Sequence, residues 1–176
     1  QADLVSRWML VGFVHGVMNT DNVSIAGETI DYGPCAFLDV YHPETVFSSI
    51  DHQGRYAFQN QPSITQWNLA RLAESLVQVV PGDPEDAVGR FVEILETFPS
   101  CYEKYFQIGA NAKLGLTTLE KEDSFIYSDL LKIMEESQLD FTETFVTLAN
   151  GLEQSEVDPE FSKVAGLSDW IERWSQ

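Results

Sequence analysis

The sequence predicts a mainly α-helical domain with one small β-hairpin, on three observations. Beyond Pro62, apolar residues recur at helical spacing in one segment after another. Residues 22–31 instead alternate, Val23, Ile25 and Ile30 against Ser24 and Thr29, around an Ala26-Gly27 turn. Apolar residues make up 44% of the 176 and charged residues 22%, enough to bury a core, which excludes a disordered, collagen-like or low-complexity chain.

Residues 4–14 are apolar on nearly every side and predict a helix buried in a domain. Their unbroken run, residues 8–14, is too short for the roughly 20 that cross a bilayer, and no basic leader precedes it. The chain opens on Gln1 with this pattern already running, as a piece of something longer would. Residues 35–65 are irregular, with Pro43, Gly54 and Pro62 as breakers. A stretch of that length is expected to be functional or packed on its own.

The helices follow in order. Leu69, Leu72, Ala73, Leu76 and Val80 form a stripe that Pro81-Gly82 stops. Val88, Phe91, Val92 and Leu95 repeat it until Pro99, and Tyr102, Tyr105, Phe106 and Gly109 start a third. Ile126, Leu130, Ile133 and Met134 make a fourth. Asp140 and Glu143 form a capping pair for a fifth, with Phe141, Phe145, Leu148 and Leu152. Leu167, Trp170, Ile171 and Trp174 begin a last helix that runs off the end. All these stripes are expected in the core.

Acids number 28 against 10 bases, a net charge of −18. Nucleic acid and anionic membranes are therefore not expected partners, since both require a basic face. Residues 117–161 hold twelve acids and two bases, a pattern that reads as a solvated helical face, or alternatively as a dock for a basic partner. Cys35 and Cys101 do not make a disulfide framework, so a reducing, cytoplasmic setting fits best.

The chemistry concentrates in residues 15–34. With Ala26-Gly27 as a two-residue turn, Asn22 faces Asp31, Ser24 faces Thr29 and Val23 faces Ile30. A shift of one residue would mix the polar and apolar faces. Opposed Cβ atoms lie roughly 4.5–5.5 Å apart, so the Asn22 amide oxygen and the Asp31 carboxylate would converge. Two hard oxygen ligands suit Mg²⁺ or Mn²⁺ completed by water and phosphate oxygens. Asp21, beside them, is free to act as a base, a division of labour known in phosphoryl transfer. The competing explanation is a polar turn in which Asp21 and Asn22 cap locally. His15 reads as a helix-end histidine that hydrogen-bonds backbone to fix the loop.

The block from His15 to Asn22, the Asp31-Tyr32-Gly33-Pro34 turn, the run Gln53-Gly54-Arg55-Tyr56-Ala57-Phe58, Asn60-Gln61-Pro62 and Trp67-Asn68-Leu69 together closely resemble the selenoprotein O family. That resemblance, strong over residues 4–80, implies a protein-kinase-like C-lobe in a pseudokinase that transfers AMP from ATP to protein hydroxyls. It implies Asp31 as a metal ligand that also touches nucleotide phosphate, Asn22 as the second metal ligand and Asp21 as proton acceptor. It further implies a catalytic-loop helix and metal-binding hairpin in residues 1–34, an activation-segment replacement in 35–65 and a helical bundle in 66–176.

The departures are equally plain. Asp21 and Asn22 are adjacent, whereas a kinase separates them by five residues, and no Arg follows His15. The chain shows no glycine-rich strands, strand lysine or partner glutamate of a small lobe, and no cysteine or selenocysteine near its end. A large-lobe fragment is expected, inactive alone. The alternatives are a kinase-type phosphotransferase using the same three residues, or a non-catalytic acidic helical module.

Overall fold

The computed structural model describes residues 1–116, 125–154, 158, 159 and 161–175. Residues 117–124 and 155–157 of the acid-rich stretch, and the Leu152 side chain, lie outside the described residues. The order is α1 (Ala2–Val11), β1 (Phe13–Val14), β2 (Ala36–Phe37), α2 (Gln61–Leu76), α3 (Pro84–Glu96), α4 (Phe98–Lys113), α5 (Ile126–Glu136), α6 (Phe141–Gln154) and α7 (Leu167–Trp174). The protein is mainly helical.

The first helix is shorter than its apolar run. Gly12 adopts φ +70° and its N–H returns to the Met9 and Trp8 carbonyls, which closes α1 at Val11. Phe13 and Val14 then become a strand, antiparallel to β2, with Phe13 opposite Phe37 and Val14 opposite Ala36. A Cβ on Gly12 would stand 2.8 Å from the Phe141 ring, so the helix stop is also a packing contact. α1 lies mainly on α4, with Val5, Ser6 and Leu10 buried and Val11 exposed, so it is buried on one face only.

The expected hairpin over residues 22–31 is not formed. Residues 20–22 make a 3₁₀ turn, and the Gly27 N–H bonds the Ser24 carbonyl, placing the turn at Ile25-Ala26. No backbone hydrogen bond joins residues 22–25 to 28–31. The Ile30 carbonyl that the ladder would pair is taken by His15, while the Gln1 amide donates to the Ser24 carbonyl and the Trp8 indole to the Thr29 hydroxyl at 2.9 Å. The antiparallel pair that does form, β1–β2, brackets this loop from outside.

Pro62 and Pro99 fall in the first turns of α2 and α4, where a missing N–H costs nothing, so they open helices rather than break them. The Asp140 carboxylate accepts the Glu143 N–H at 2.8 Å and caps α6. The stripes of α5, α6 and α7 supply the core: Leu130, Met134, Leu148, Leu167 and Trp170 are buried. Helix α7 runs to Trp174, and its indoles are tied down, Trp170 donating to the Ile126 carbonyl and Trp174 to that of Leu114. Ring contacts run from Tyr102 through Phe106, Tyr127, Phe145 and Phe141 to Tyr41 and Phe58, fastening residues 35–65 to the helices.

The stripes of α2 and α3 behave differently from expectation. Leu72, Leu76, Val88 and Val92 are exposed. Of these, Leu72 and Leu76 line an open apolar groove of about 310 Å³ with Phe91, Leu95 and Cys101, between α2, α3 and the start of α4. Among the described residues nothing is packed over it, which is why helical spacing there did not become a closed core.

Candidate functional site

The loop between β1 and β2 is organised from His15. That residue is fully buried, and its Nε2 donates to the Ile30 carbonyl at 2.8 Å, one residue ahead of Asp31. Donation to a carbonyl requires the proton on Nε2; Nδ1 is buried without a partner. The expected backbone-fixing role is the one observed. Gln61, at the start of α2 and also fully buried, accepts the His15 N–H at 2.9 Å and donates to the Phe13 carbonyl. This side chain replaces a strand neighbour for the two residues entering the loop.

Two tethers leave the same three residues. His15 holds the backbone before Asp31, and the Val17 carbonyl accepts the Asn22 amide at 3.0 Å. Between them Gly16, at φ +85°, lets the 31–34 turn approach; a Cβ there would lie 3.0 Å from Pro34 Cγ and 3.1 Å from its carbonyl oxygen. With Nδ2 committed to Val17, Oδ1 is the Asn22 atom left to act as a ligand. Asp31 stands at φ +56°, with the Gly33 N–H returned to its carbonyl at 2.7 Å. Asp21 and Asp31 are exposed, and neither carboxylate has a hydrogen-bond or ion-pair partner among the described residues. Asn22 and the residue before Asp31 are thus each tied to the segment His15–Val17, and the derived ladder is not what holds them.

The donor set, one amide oxygen and one carboxylate, is hard and fits Mg²⁺ or Mn²⁺. Among the described residues no group of three or more His, Cys, Asp or Glu side chains gathers as a metal cage. A cation here would take two protein oxygens and fill its other positions from water or phosphate.

Several supporting residues escaped the reading by spacing. Asn68 donates to the Met18 carbonyl, Tyr56 donates to Asn19 Oδ1 at 2.6 Å, and both Asp51 oxygens accept backbone N–H groups, of Arg55 and Tyr56. The one available signal was polar residues on the buried side of a helix: Gln61, Thr65 and Asn68 all face inward on α2.

Fold and loop define a mainly helical domain carrying an oxygen-rich, histidine-anchored loop closed by a two-stranded pair. A family model described as protein adenylyltransferase SelO matches residues 1–175, and the chain belongs to that family. It is similar to the protein nucleotidyltransferase YdiU of Anoxybacillus flavithermus, 53% identical over 176 residues, the whole of this chain and 35% of that protein. The protein of the same name from Cereibacter sphaeroides is 51% identical over 99% of this chain and 36% of its own length. That from Clostridium botulinum is 54% identical over 86% and 31%. The chain therefore spans about a third of the curated relatives it matches.

Proposed function

We propose that the protein to which this chain contributes is a Mg²⁺- or Mn²⁺-dependent protein nucleotidyltransferase that moves AMP from ATP to Ser, Thr or Tyr hydroxyls. In this reading the chain supplies a kinase-like large lobe, with residues 35–65 standing in for the activation segment. The observation that carries it is the pair of tethers from His15–Val17 to Asn22 and to the residue before Asp31, in a chain matched end to end by an adenylyltransferase family model.

Asn22 Oδ1 and the Asp31 carboxylate would hold the cation, and Asp31 would also stand against the nucleotide phosphates. Bound there, the cation would neutralise charge on the departing pyrophosphate. Asp21, exposed and without a partner among the described residues, takes the proton of the acceptor hydroxyl as its oxygen attacks the α-phosphorus and pyrophosphate leaves. His15 and Gln61 keep the loop from relaxing while this occurs, a positioning task worth energy because it precedes the reaction.

The test is mass spectrometry of the full-length protein and an acceptor protein incubated with ATP and either metal. Addition of an adenylyl group is the expected result. Addition of a phosphoryl group would make the protein a phosphotransferase. No addition, with partner binding unchanged in Asp31→Ala, would leave the acidic interaction module.

A further inference from the structure

We propose that Arg55, held on the ring of Trp67 beside the loop that carries Asp21, recognises an acidic side chain flanking the acceptor hydroxyl. This rests on the transfer reading above for its catalytic consequence, but not for its binding. The Arg55 guanidinium carbon lies 4.6 Å from the Trp67 ring centroid and 5.7 Å from that of Tyr56, and Arg71 lies 5.0 Å from Trp67. Two of the five arginines in a chain of net charge −18 thus meet at one indole.

Their electrostatic situations differ. Arg71 pairs with Glu74 at 2.6 Å. Arg55 has no carboxylate partner among the described residues, since the neighbouring Asp51 spends both oxygens on backbone N–H groups. The indole holds the Arg55 guanidinium in place without neutralising its charge, which leaves a positioned fork suited to a carboxylate.

The surroundings are those of an extended ligand. Arg55 lines a cleft of about 400 Å³ with Val17, Asn19, Asp51, His52 and Tyr56, the Asp51 carboxylate being turned onto the Arg55 and Tyr56 backbone N–H groups. Arg71 lines a second, of about 390 Å³, with Thr20, Ser24 and Asn68. The clefts reach the loop at Asn19 and at Thr20, immediately ahead of Asp21. Asn68, on the wall of the second cleft, is 4% exposed and donates to the Met18 carbonyl, which fixes the loop there. Asp21 lines neither cleft, but the clefts border the two residues that precede it, so a protein segment laid in them comes up against that loop. The segment's acid meets Arg55, in a molecule whose surface otherwise repels acids.

The test uses the full-length protein and two fluorescent nonapeptides, identical except that a central Ser is flanked by Glu in one and Gln in the other. Anisotropy is expected to show the Glu peptide binding about tenfold more tightly. Arg55→Gln should erase that preference and Arg55→Lys retain part of it, both melting like the parent. Arg71→Gln should change it less. In transfer assays Arg55→Gln should raise KM for the acceptor and leave KM for ATP alone. Equal binding of the two peptides by the parent protein, no binding of either, or a preference that survives Arg55→Gln overturns the inference. So does a rise confined to KM for ATP, which would assign Arg55 to the nucleotide. A preference without any AMP transfer would sink the transfer reading and leave this recognition standing.

Discussion

Asp31 occupies a left-handed backbone conformation at φ +56°, a region that costs most L-residues roughly 1–2 kcal/mol. In the proposed site the Asp31 side chain serves the cation and not the fold, so the cost falls on stability alone. Asp31→Gly should therefore melt above Asp31→Ala, while both lose transfer in the full-length protein. Near-normal transfer by either would remove Asp31 from the site. Asn22→Ala should raise the metal concentration needed for half-maximal rate, and Asp21→Asn should slow transfer by about 10²–10⁴-fold. A different residue shows how burial controls charge. Lys113 donates to the Leu10 carbonyl and lies over the Phe141 and Phe145 rings, 4.4 and 3.7 Å from their centroids. Burial pushes its ammonium pKa from 10.5 down to about 8. Between those values the unfolded chain binds the proton more readily than the folded one, so this group makes stability rise with pH. Burial raises the Tyr41, Tyr102 and Tyr127 pKa values, which acts in the opposite sense near pH 10, so the difference is what reports Lys113. From about pH 8 to pH 10, urea denaturation should show the parent gaining stability relative to Lys113→Met; equal changes would mean the ammonium is not desolvated as described.

At the scale of elements, the contact between α1 and α4 sets where the loop begins, because α1 ends one residue before β1. Gly109 makes that approach possible: a Cβ there would stand 2.1 Å from Leu10 Cδ1. Gly109→Ala gains about 1 kcal/mol of helix propensity. Forcing the buried Leu10 aside costs typically 1–3 kcal/mol, so a net loss of melting temperature is expected. In Leu10→Ala/Gly109→Ala the two effects should be less than additive, since the obstructing methyl is gone. Strict additivity would show that the helices separate instead of clashing. The same tight crossing explains why the apolar run 4–14 did not continue as helix. Gly12 turns the chain so that Phe13 can meet Phe37, ring centroids 5.4 Å apart.

Across the whole molecule, a net charge of −18 makes the folded chain repel itself. The ion pairs seen are surface pairs such as Arg7–Asp3 and Arg173–Asp129, each worth little against that repulsion. Screening should therefore stabilise the fold. Raising salt from roughly 0.01 M to 0.15 M shortens the screening length from about 30 to about 8 Å, and the melting temperature should climb over that range. A fall would show that attractive pairs outweigh the repulsion. Both cysteines are free thiols, and no described helix is long and apolar enough to cross a membrane.

Helix positions from α2 onward were legible because apolar spacing is a local property: Leu130, Met134, Leu167 and Trp170 are buried where their period placed them. Asp21, Asn22 and Asp31, the residues proposed for the site, stand out in the sequence for the same reason, as hard oxygen donors crowded into one turn-rich block. Their arrangement does not. Alternation in residues 22–31 argued for a ladder, yet the partners that won were remote in sequence: Gln1 for Ser24, Trp8 for Thr29 and His15 for Ile30. Gln61 reaches back 46 residues to the His15 N–H. A backbone group bonds to whichever partner the packed chain brings within about 3 Å, and pattern along the strand carries no record of that. Exposure of the α2–α3 stripe was decided the same way, since a period shows which side of a helix is apolar and only the tertiary structure shows what, if anything, lies against it.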